Sequence, residues 1–255
     1  MDGSKIRILL HGCNGRMGKA ITRICENNEG FEVVAGVDID PKKLFDYPVF
    51  SRISDCNNDF DIIIDFSNPL ALHEVLDYAD IMAKPVVIAT TGLPSEIKEK
   101  YLDVSKRVPV FVSANMSIGI NMLIQLAKKA TSILSPAFDI EIVEAHHNQK
   151  LDAPSGTALM IADAINETIN HSLEYTYDRH EKRAKRSSSE LGIHSIRGGT
   201  IVGNHTVYFA GAEEVLEITH RAQSREVFAR GAIMAARFLL SKEAGLYDME
   251  DLIGS

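Results

Sequence analysis

From Glu144 to Thr157 the chain reads Glu-Ala-His-His-Asn-Gln-Lys-Leu-Asp-Ala-Pro-Ser-Gly-Thr. Two neighbouring imidazoles, an ammonium, two carboxylates and a Ser-Gly-Thr step gather there, where an ordinary turn is made of Gly, Pro, Asn, Asp and Ser. Several chemistries are open to such a cluster. A metal could take Glu144, His146, His147 and Asp152, but adjacent residues of a strand face opposite ways, and the sequence has no HExxH pair. Ser155 could be a nucleophile with a histidine base, yet it lacks a G-x-S-x-G elbow. The third reading is proton transfer beside a carboxylate pocket. Ser155, Gly156 and Thr157 open a helix whose unpaired N–H groups and positive dipole end can hold a carboxylate. Lys150, His146 and His147 bring positive charge and exchangeable protons beside it. The plain alternative is a polar strand-end turn that satisfies its own hydrogen bonds.

Something must carry this stretch, and the rest of the chain reads as a carrier of nucleotide. Ile6 to Leu10 is a short apolar strand, followed by Gly12-Cys13-Asn14-Gly15-Arg16-Met17-Gly18 and a helical pattern from Ala20 to Cys25. Strand, glycine turn and helix form the setting in which backbone amides approach a pyrophosphate. The spacing is GxxGxxG, with Cys13 where a glycine is usual, so a plain strand-to-helix connection stays open on the turn alone. The next strand, Glu32 to Val37, ends on Asp38, placed to accept hydrogen bonds from ribose hydroxyls. Ile39 follows, rather than an arginine suited to a 2′-phosphate, which leans towards NADH over NADPH; Arg16, Lys42 and Lys43 are the cations that could still reach a phosphate.

Further strand–helix units follow. Asp61–Phe66, Pro85–Ala89 and Val108–Ser113 read as buried parallel strands; helices are expected from Ser67-Asn68-Pro69 to about Ala83 and from about Ser95. In a doubly wound sheet, ligands bind at the carboxyl ends of strands. Phe66, then Ala89, Thr90, Thr91 and Gly92, then Ala114, Asn115, Met116 and Ser117 therefore belong on the nicotinamide side. Helical spacing marks Gly119 to about Leu134 and Gly156 to about Ile169, with a strand from Asp139 to Ala145 between them. Residues 174–190 read as a solvated helix or loop face, including the basic run Lys182-Arg183-Ala184-Lys185-Arg186. Strand-like runs Ile193–Arg197 with Ile201-Val202, His205–Ala210 and Val215–His220 imply an antiparallel or mixed sheet, and a last helix spans about Glu226 to Ser241. The expected architecture is α/β: a Rossmann-like doubly wound parallel sheet over 1–117, completed by 226–255, plus a smaller α+β domain over 118–225 with a mixed, mostly antiparallel sheet.

Composition narrows the partners. A formal net charge of -8 opposes nucleic acid, which needs a basic face; an anionic substrate must then rely on a local positive cluster. Cys13, Cys25 and Cys56 lack disulfide-like spacing and read as reduced thiols. With neither a signal pattern nor a spanning apolar run in the sequence, a cytoplasmic protein with no membrane partner and no metal is expected.

The stretch from Glu144 to Thr157, continuing into Ala158, resembles the signature of the 4-hydroxy-tetrahydrodipicolinate reductase (dihydrodipicolinate reductase) family. The likeness extends over nearly the whole chain: Gly12 to Gly18 is similar to that family's Gly-x-x-Gly-Arg-Met-Gly turn. Asp65-Phe66-Ser67, Thr90-Thr91-Gly92 and Ala114 to Ser117 resemble its nicotinamide-side loops, and Ser195 to Gly199, His220 to Arg225 and Gly245 to Met249 also match. Departures are Cys13 in the turn, Met116 for a common phenylalanine and Ala89 for a common glycine.

The resemblance implies reduction of a cyclic unsaturated dicarboxylate with NADH or NADPH in lysine and diaminopimelate biosynthesis. It makes His146 and Lys150 the proton-exchanging residues, and His147, Gly156 and Thr157, with Ser155, the substrate's binding site. It also implies a homotetramer built through the C-terminal domain's sheet. Two other readings compete: a two-domain NAD(P)-dependent amino-acid dehydrogenase, and an NAD(H)-sensing protein without turnover, which would leave His146, His147 and Lys150 unexplained.

Overall fold

A computed structural model describes residues 5–28, 30–180 and 183–254. It divides into two compact units, one running to Ile118 and resuming at Glu226, the other from Gly119 to Arg225.

The first unit is a seven-stranded parallel sheet. In chain order its strands are β1 (Ile6–His11), β2 (Phe31–Val37), β3 (Val49–Phe50), β4 (Ile62–Asp65), β5 (Val86–Ile88), β6 (Pro109–Val112) and, near the chain's end, β12 (Gly245–Tyr247). Their order across the sheet is β12-β6-β5-β4-β1-β2-β3. The order reverses between β1 and β4, which is where open α/β sheets leave a crevice for ligands. Alternation along the strands feeds two cores. Ile8, Leu10, Ile62 and Ile64 pack on α1 (Arg16–Glu26) and α6 (Glu226–Leu239), while Leu9 and Ile63 pack on α2 (Leu72–Ile81) and α3 (Ser95–Val104). Helices cover both faces, so the strands are apolar on both sides. Asn68 starts the second helical segment: its side chain accepts the Leu70 N–H, and a 3₁₀ turn over Pro69–Ala71 leads into α2.

The second unit is a five-stranded mixed sheet of order β11-β10-β7-β9-β8. Its strands are β7 (Asp139–His146), β8 (Glu174–Thr176), β9 (Glu190–Arg197), β10 (Gly203–Ala210) and β11 (Val215–Ala222). The β7–β10 and β10–β11 pairs are antiparallel, and β7–β9 and β8–β9 are parallel. One face is covered by α4 (Ile118–Leu134) and α5 (Gly156–Thr168), whose Ile120, Leu123, Ala127, Ile161 and Ile165 meet Ile140, Ile142, Val207 and Phe209.

Several expectations need correction. Residues 174–190 are not only a solvated face, because β8 adds an edge strand. Lys182 lies outside the described residues, but Arg186 is not on a solvated face: its guanidinium is largely buried and donates to Glu141 Oε1 (2.8 Å), Asp139 Oδ1 (2.7 Å) and the Ile140 and Glu190 carbonyls. Ile201-Val202 lies in the connection before β10, not in a strand. The short β3, β12 and α7 (Met249–Gly254) carry too few residues to show a period.

Candidate active site

On β7 the period of two puts Ile140, Ile142, Glu144 and His146 on the face that α4 and α5 cover. The first two are core; the last two are polar and equally buried. His205 on β10 and Ser195 on β9 lie opposite Glu144, and Arg197 lies opposite His146. A fully buried carboxylate is costly unless it is paired and hydrogen-bonded. Glu144 meets that demand: Arg197 forks onto both oxygens at 2.7 and 2.9 Å, the Ser155 N–H donates at 3.1 Å, and His146 Nδ1 lies 2.6 Å from Oε2. Burial pushes the Glu144 carboxyl up, but hydrogen bonds from Arg197, His146 and Ser195 outweigh it and hold it at about 2. An ionised carboxylate only accepts, so Nδ1 of His146 carries a proton and, in the neutral ring, Nε2 carries the lone pair. Burial pulls His146 below the ordinary imidazole value; Glu144 opposes this, and the charges of Lys150 and Arg197 reinforce it.

His205 is the second histidine of this face, with its ring against that of His146 edge to face at 5.2 Å between centroids. Its Nε2 pairs with Ser155 Oγ at 3.2 Å, and its buried Nδ1 has no protein partner. Burial, then the neighbouring His146, push it down to about 4. Ser155 is therefore fully engaged: it caps α5 by accepting the Ala158 N–H, meets His205, and gives its own N–H to Glu144. Such caps contribute about 1 kcal/mol.

The loop from His147 to Pro154 carries the mobile charge. Lys150 Nζ lies 3.0 Å from Asp152 Oδ1. The Asp152 carboxyl is held low first by that contact and also by the Gly156 N–H at the start of α5. Asp152 thus occupies the two kinds of donor, an ammonium and a helix-start amide, that would grip a ligand's carboxylate. His147 points elsewhere: its Nε2 accepts from Arg225 at 3.4 Å. The two adjacent histidines thus have different partners. Among the described residues no three His, Cys, Asp or Glu side chains cluster as a metal shell would.

Arg197, His205 and Arg225 were missed from the sequence. His205 had a signal, since it lies in register with the buried Val207 and Phe209; the arginines had only their place in two segments that resemble the family's, which assigns them no role.

In the first unit, Gly12 takes φ +79°, and a Cβ there would lie 2.5 Å from the Phe66 carbonyl oxygen, so only glycine fits. The amides of Gly12 and Cys13 go to the Val37 carbonyl, that of Asn14 to Asp38 Oδ2 (2.9 Å) and that of Gly15 to the Gly12 carbonyl. The turn binds itself. The amides left outside its ladder are those of the first turn of α1, from Arg16 and Met17 onwards. Cys13 turns its thiol into the core against Gly36 and Tyr47.

Asp65, fully buried at the end of β4, accepts from Ser67 Oγ and Thr90 Oγ1 and lies beside His11 Nδ1, each at 2.6 Å. One carboxylate thus ties together the carboxyl ends of β1, β4 and β5. Thr91, Gly92 and Ala114 are exposed beside them; Asn115, Met116 and Ser117 are buried, with the Asn115 Oδ1 accepting the Ser117 N–H. A cavity of about 320 Å³ runs along His11, Gly12, Gly15, Asp38, Ile39, Arg52 and Phe66. Glycine turn, orphan helix amides, strand-end acid and cavity fit a dinucleotide.

A doubly wound sheet with this crevice, joined to a unit carrying a buried histidine, a lysine and a serine-capped helix start, defines a nicotinamide-dependent oxidoreductase. Residues 6–116 match the family model described as dihydrodipicolinate reductase, N-terminus, and residues 119–253 the one described as its C-terminus. The chain belongs to the dihydrodipicolinate reductase family. It is 53% identical over 248 residues to the 4-hydroxy-tetrahydrodipicolinate reductase of Caldanaerobacter subterraneus subsp. tengcongensis, covering 97% of this chain and 98% of the relative. The Clostridium novyi enzyme of the same name is 46% identical over 98% of both chains. Among solved structures, a dipicolinate-bound dihydrodipicolinate reductase from Paenisporosarcina sp. TG-14 superposes with a TM-score of 0.81 at 25% identity, covering 96% of this chain and 98% of that one.

Proposed function

We propose that the chain catalyses NAD(P)H-dependent reduction of 4-hydroxy-tetrahydrodipicolinate to tetrahydrodipicolinate in lysine and diaminopimelate biosynthesis. The observation that carries this reading is the buried His146, its Nδ1 on Glu144, in the same unit as Lys150 and the start of α5. In the overall change the ring loses its hydroxyl and a neighbouring C–H proton as water, and a hydride and a proton add across the double bond so formed. The nicotinamide, when bound, supplies the hydride. The chain supplies the rest. His146 exchanges a proton through Nε2, and Lys150, once released from Asp152, donates a second. His147 with Arg225, and the amides of Gly156 and Thr157, hold the substrate's carboxylates. Ser155 builds that turn rather than touching the ligand through its hydroxyl, which is already spent on the cap and His205.

In the cofactor domain (1–117 with 226–255), the first turn of α1 at Arg16 and Met17 takes the pyrophosphate, with Gly12, Cys13, Asn14 and Gly15 shaping the approach. Asp38 takes the adenosine ribose. Phe66, Ala89, Thr90, Thr91, Gly92 and Ala114 to Ser117 line the nicotinamide end. Asp38 followed by the exposed Ile39 favours NADH. Arg52, in the same cavity, is the cation within reach of a 2′-phosphate. The second domain (118–225) binds substrate and assembles a cytoplasmic homotetramer through its open sheet face, where Val215 and Ile196 are exposed.

Nicotinamide absorbance followed in a coupled assay, with substrate generated by the upstream synthase, tests the reading. Oxidation of NADH that depends on the synthase supports it. NADH oxidised only with an amino-acid or keto-acid pair, or binding without turnover, refutes it.

A further inference from the structure

Glu144 is the residue on which the second unit's polar cluster converges. Its Oε2 faces His146 Nδ1 at 2.6 Å and its Oε1 accepts the Ser155 N–H at 3.1 Å, while Arg197 bridges both oxygens. Three elements meet on one carboxylate: β7, β9 and the entry to α5. A neutral imidazole has two tautomers, and the partner of one nitrogen decides which nitrogen is left to work.

We infer that Glu144 is the positioning residue of the site: it fixes His146 in the Nδ1–H tautomer, so that Nε2 exchanges the proton, and anchors that ring to the turn that grips the substrate's carboxylate. This inference rests on the reading of His146 as the proton-exchanging group. The surroundings supply what the role needs. Arg197 neutralises the carboxylate, so a second proton on the ring is not forced by charge alone. His205 closes the cluster from β10, with its ring on His146 and its Nε2 on the Ser155 hydroxyl. Lys150 from the loop and Arg197 from β9 both disfavour charge on His146, and Glu144 is the group that favours it. On His205 the charges of His220 from β11 and Lys150 act in the same direction as that of His146. Ring orientation, tautomer and the position of the first α5 amide are therefore set by the same two oxygens.

Glu144→Gln keeps the shape but lets an amide face Nδ1, and it removes the charge that Arg197 neutralises. In the intact enzyme, kcat is expected to fall by roughly 10²-fold, the scale of a general acid–base group, and the imidazole limb of its pH profile to move. Dipicolinate, used as a binding probe, and NADH should keep Kd values within about threefold, and Glu144→Asp should recover part of kcat. Glu144→Gln with kcat and pH profile unchanged, while His146→Gln is impaired, overturns the positioning role and leaves His146 standing. His146→Gln with undiminished kcat overturns both. Should Glu144→Gln fail to fold, ¹⁵N NMR of the wild-type imidazole decides, with the resonance assigned by its loss in His146→Gln. Nδ1–H with a bare Nε2 supports the role, and the reverse tautomer overturns it.

Discussion

Lys150 Nζ and Asp152 Oδ1 stand 3.0 Å apart, two residues from one another in the loop between β7 and α5. Asp152 is about half exposed, so this contact contributes little to stability; its interest lies in what it holds. The lysine proposed to donate a proton is kept by a carboxylate of its own loop, at the mouth of the α5 turn. Lys150→Ala should therefore fold normally and bind NADH unchanged, while kcat falls by roughly 10²-fold or more. Steady-state kinetics beside NADH titration measures both, and a variant with near-wild-type kcat removes Lys150 from the mechanism.

In the first unit, Asp65 ties three strand ends through His11, Ser67 and Thr90. Asp65→Asn leaves buried donors without their acceptor, a loss of about 3 kcal/mol. For a protein of this size that lowers Tm by roughly 6–12 °C. Thr90→Val, a milder cut, should weaken NADH severalfold while leaving dipicolinate affinity alone. Calorimetry and two titrations test this, and equal weakening of both ligands would show that Asp65 is not specific to the cofactor loops.

Acid should destabilise the chain in two stages. His205 is pushed from 6.5 down to about 4. Below pH 6.5 the unfolded chain therefore takes up a proton that the folded chain refuses, and stability falls until about pH 4. The loss is on the order of 3 kcal/mol. Glu144, held at about 2 against 4.5, adds a second loss below pH 4.5 as its partnered carboxylate must protonate. Tm measured from pH 7 to 4 should decline, and His205→Phe should flatten the upper stage. A Tm independent of pH across that range would contradict the burial of a neutral His205.

Cofactor choice is testable at the Asp38 cavity. kcat/KM should be higher for NADH than for NADPH, because Asp38 repels a 2′-phosphate. Arg52→Ala should raise KM for NADPH by about tenfold, one charge-assisted contact, with little effect on NADH. Side-by-side titration settles the ranking, and a higher kcat/KM for NADPH would refute it.

The sequence revealed what is periodic or locally capped. The longer parallel strands showed as continuous apolar runs, and α4, α5 and the Ser155 turn by their spacing, because run, period and cap are all written in neighbouring residues. The cluster around Glu144 was legible only in part. Its loop is visible as a run of reactive groups, but nothing local to Glu144 shows its partners, since Arg197 and His205 reach it from strands more than fifty residues away. Arg186 shows the converse. In the sequence it belonged to a basic run; in the fold it is spent on β7 carboxylates and carbonyls, and nothing in its neighbours foretold that.

The first unit's sheet is closed on one face by α6, whose Ala229, Ala232, Ala236 and Leu239 cover Ile8, Leu10, Val87 and Phe111. The fit is close: a Cβ on Gly231 would lie 1.7 Å from the Met116 carbonyl oxygen. That helix arrives only after the whole of Gly119–Arg225 has been threaded in between. On the ribosome, the nucleotide-binding unit is therefore begun before the second unit and completed after it. Until α6 emerges, the central strands of that unit present an apolar face to water, and the second unit can complete its own core earlier. A chain arrested before Glu226 would be a substrate for chaperones rather than a half-sized enzyme.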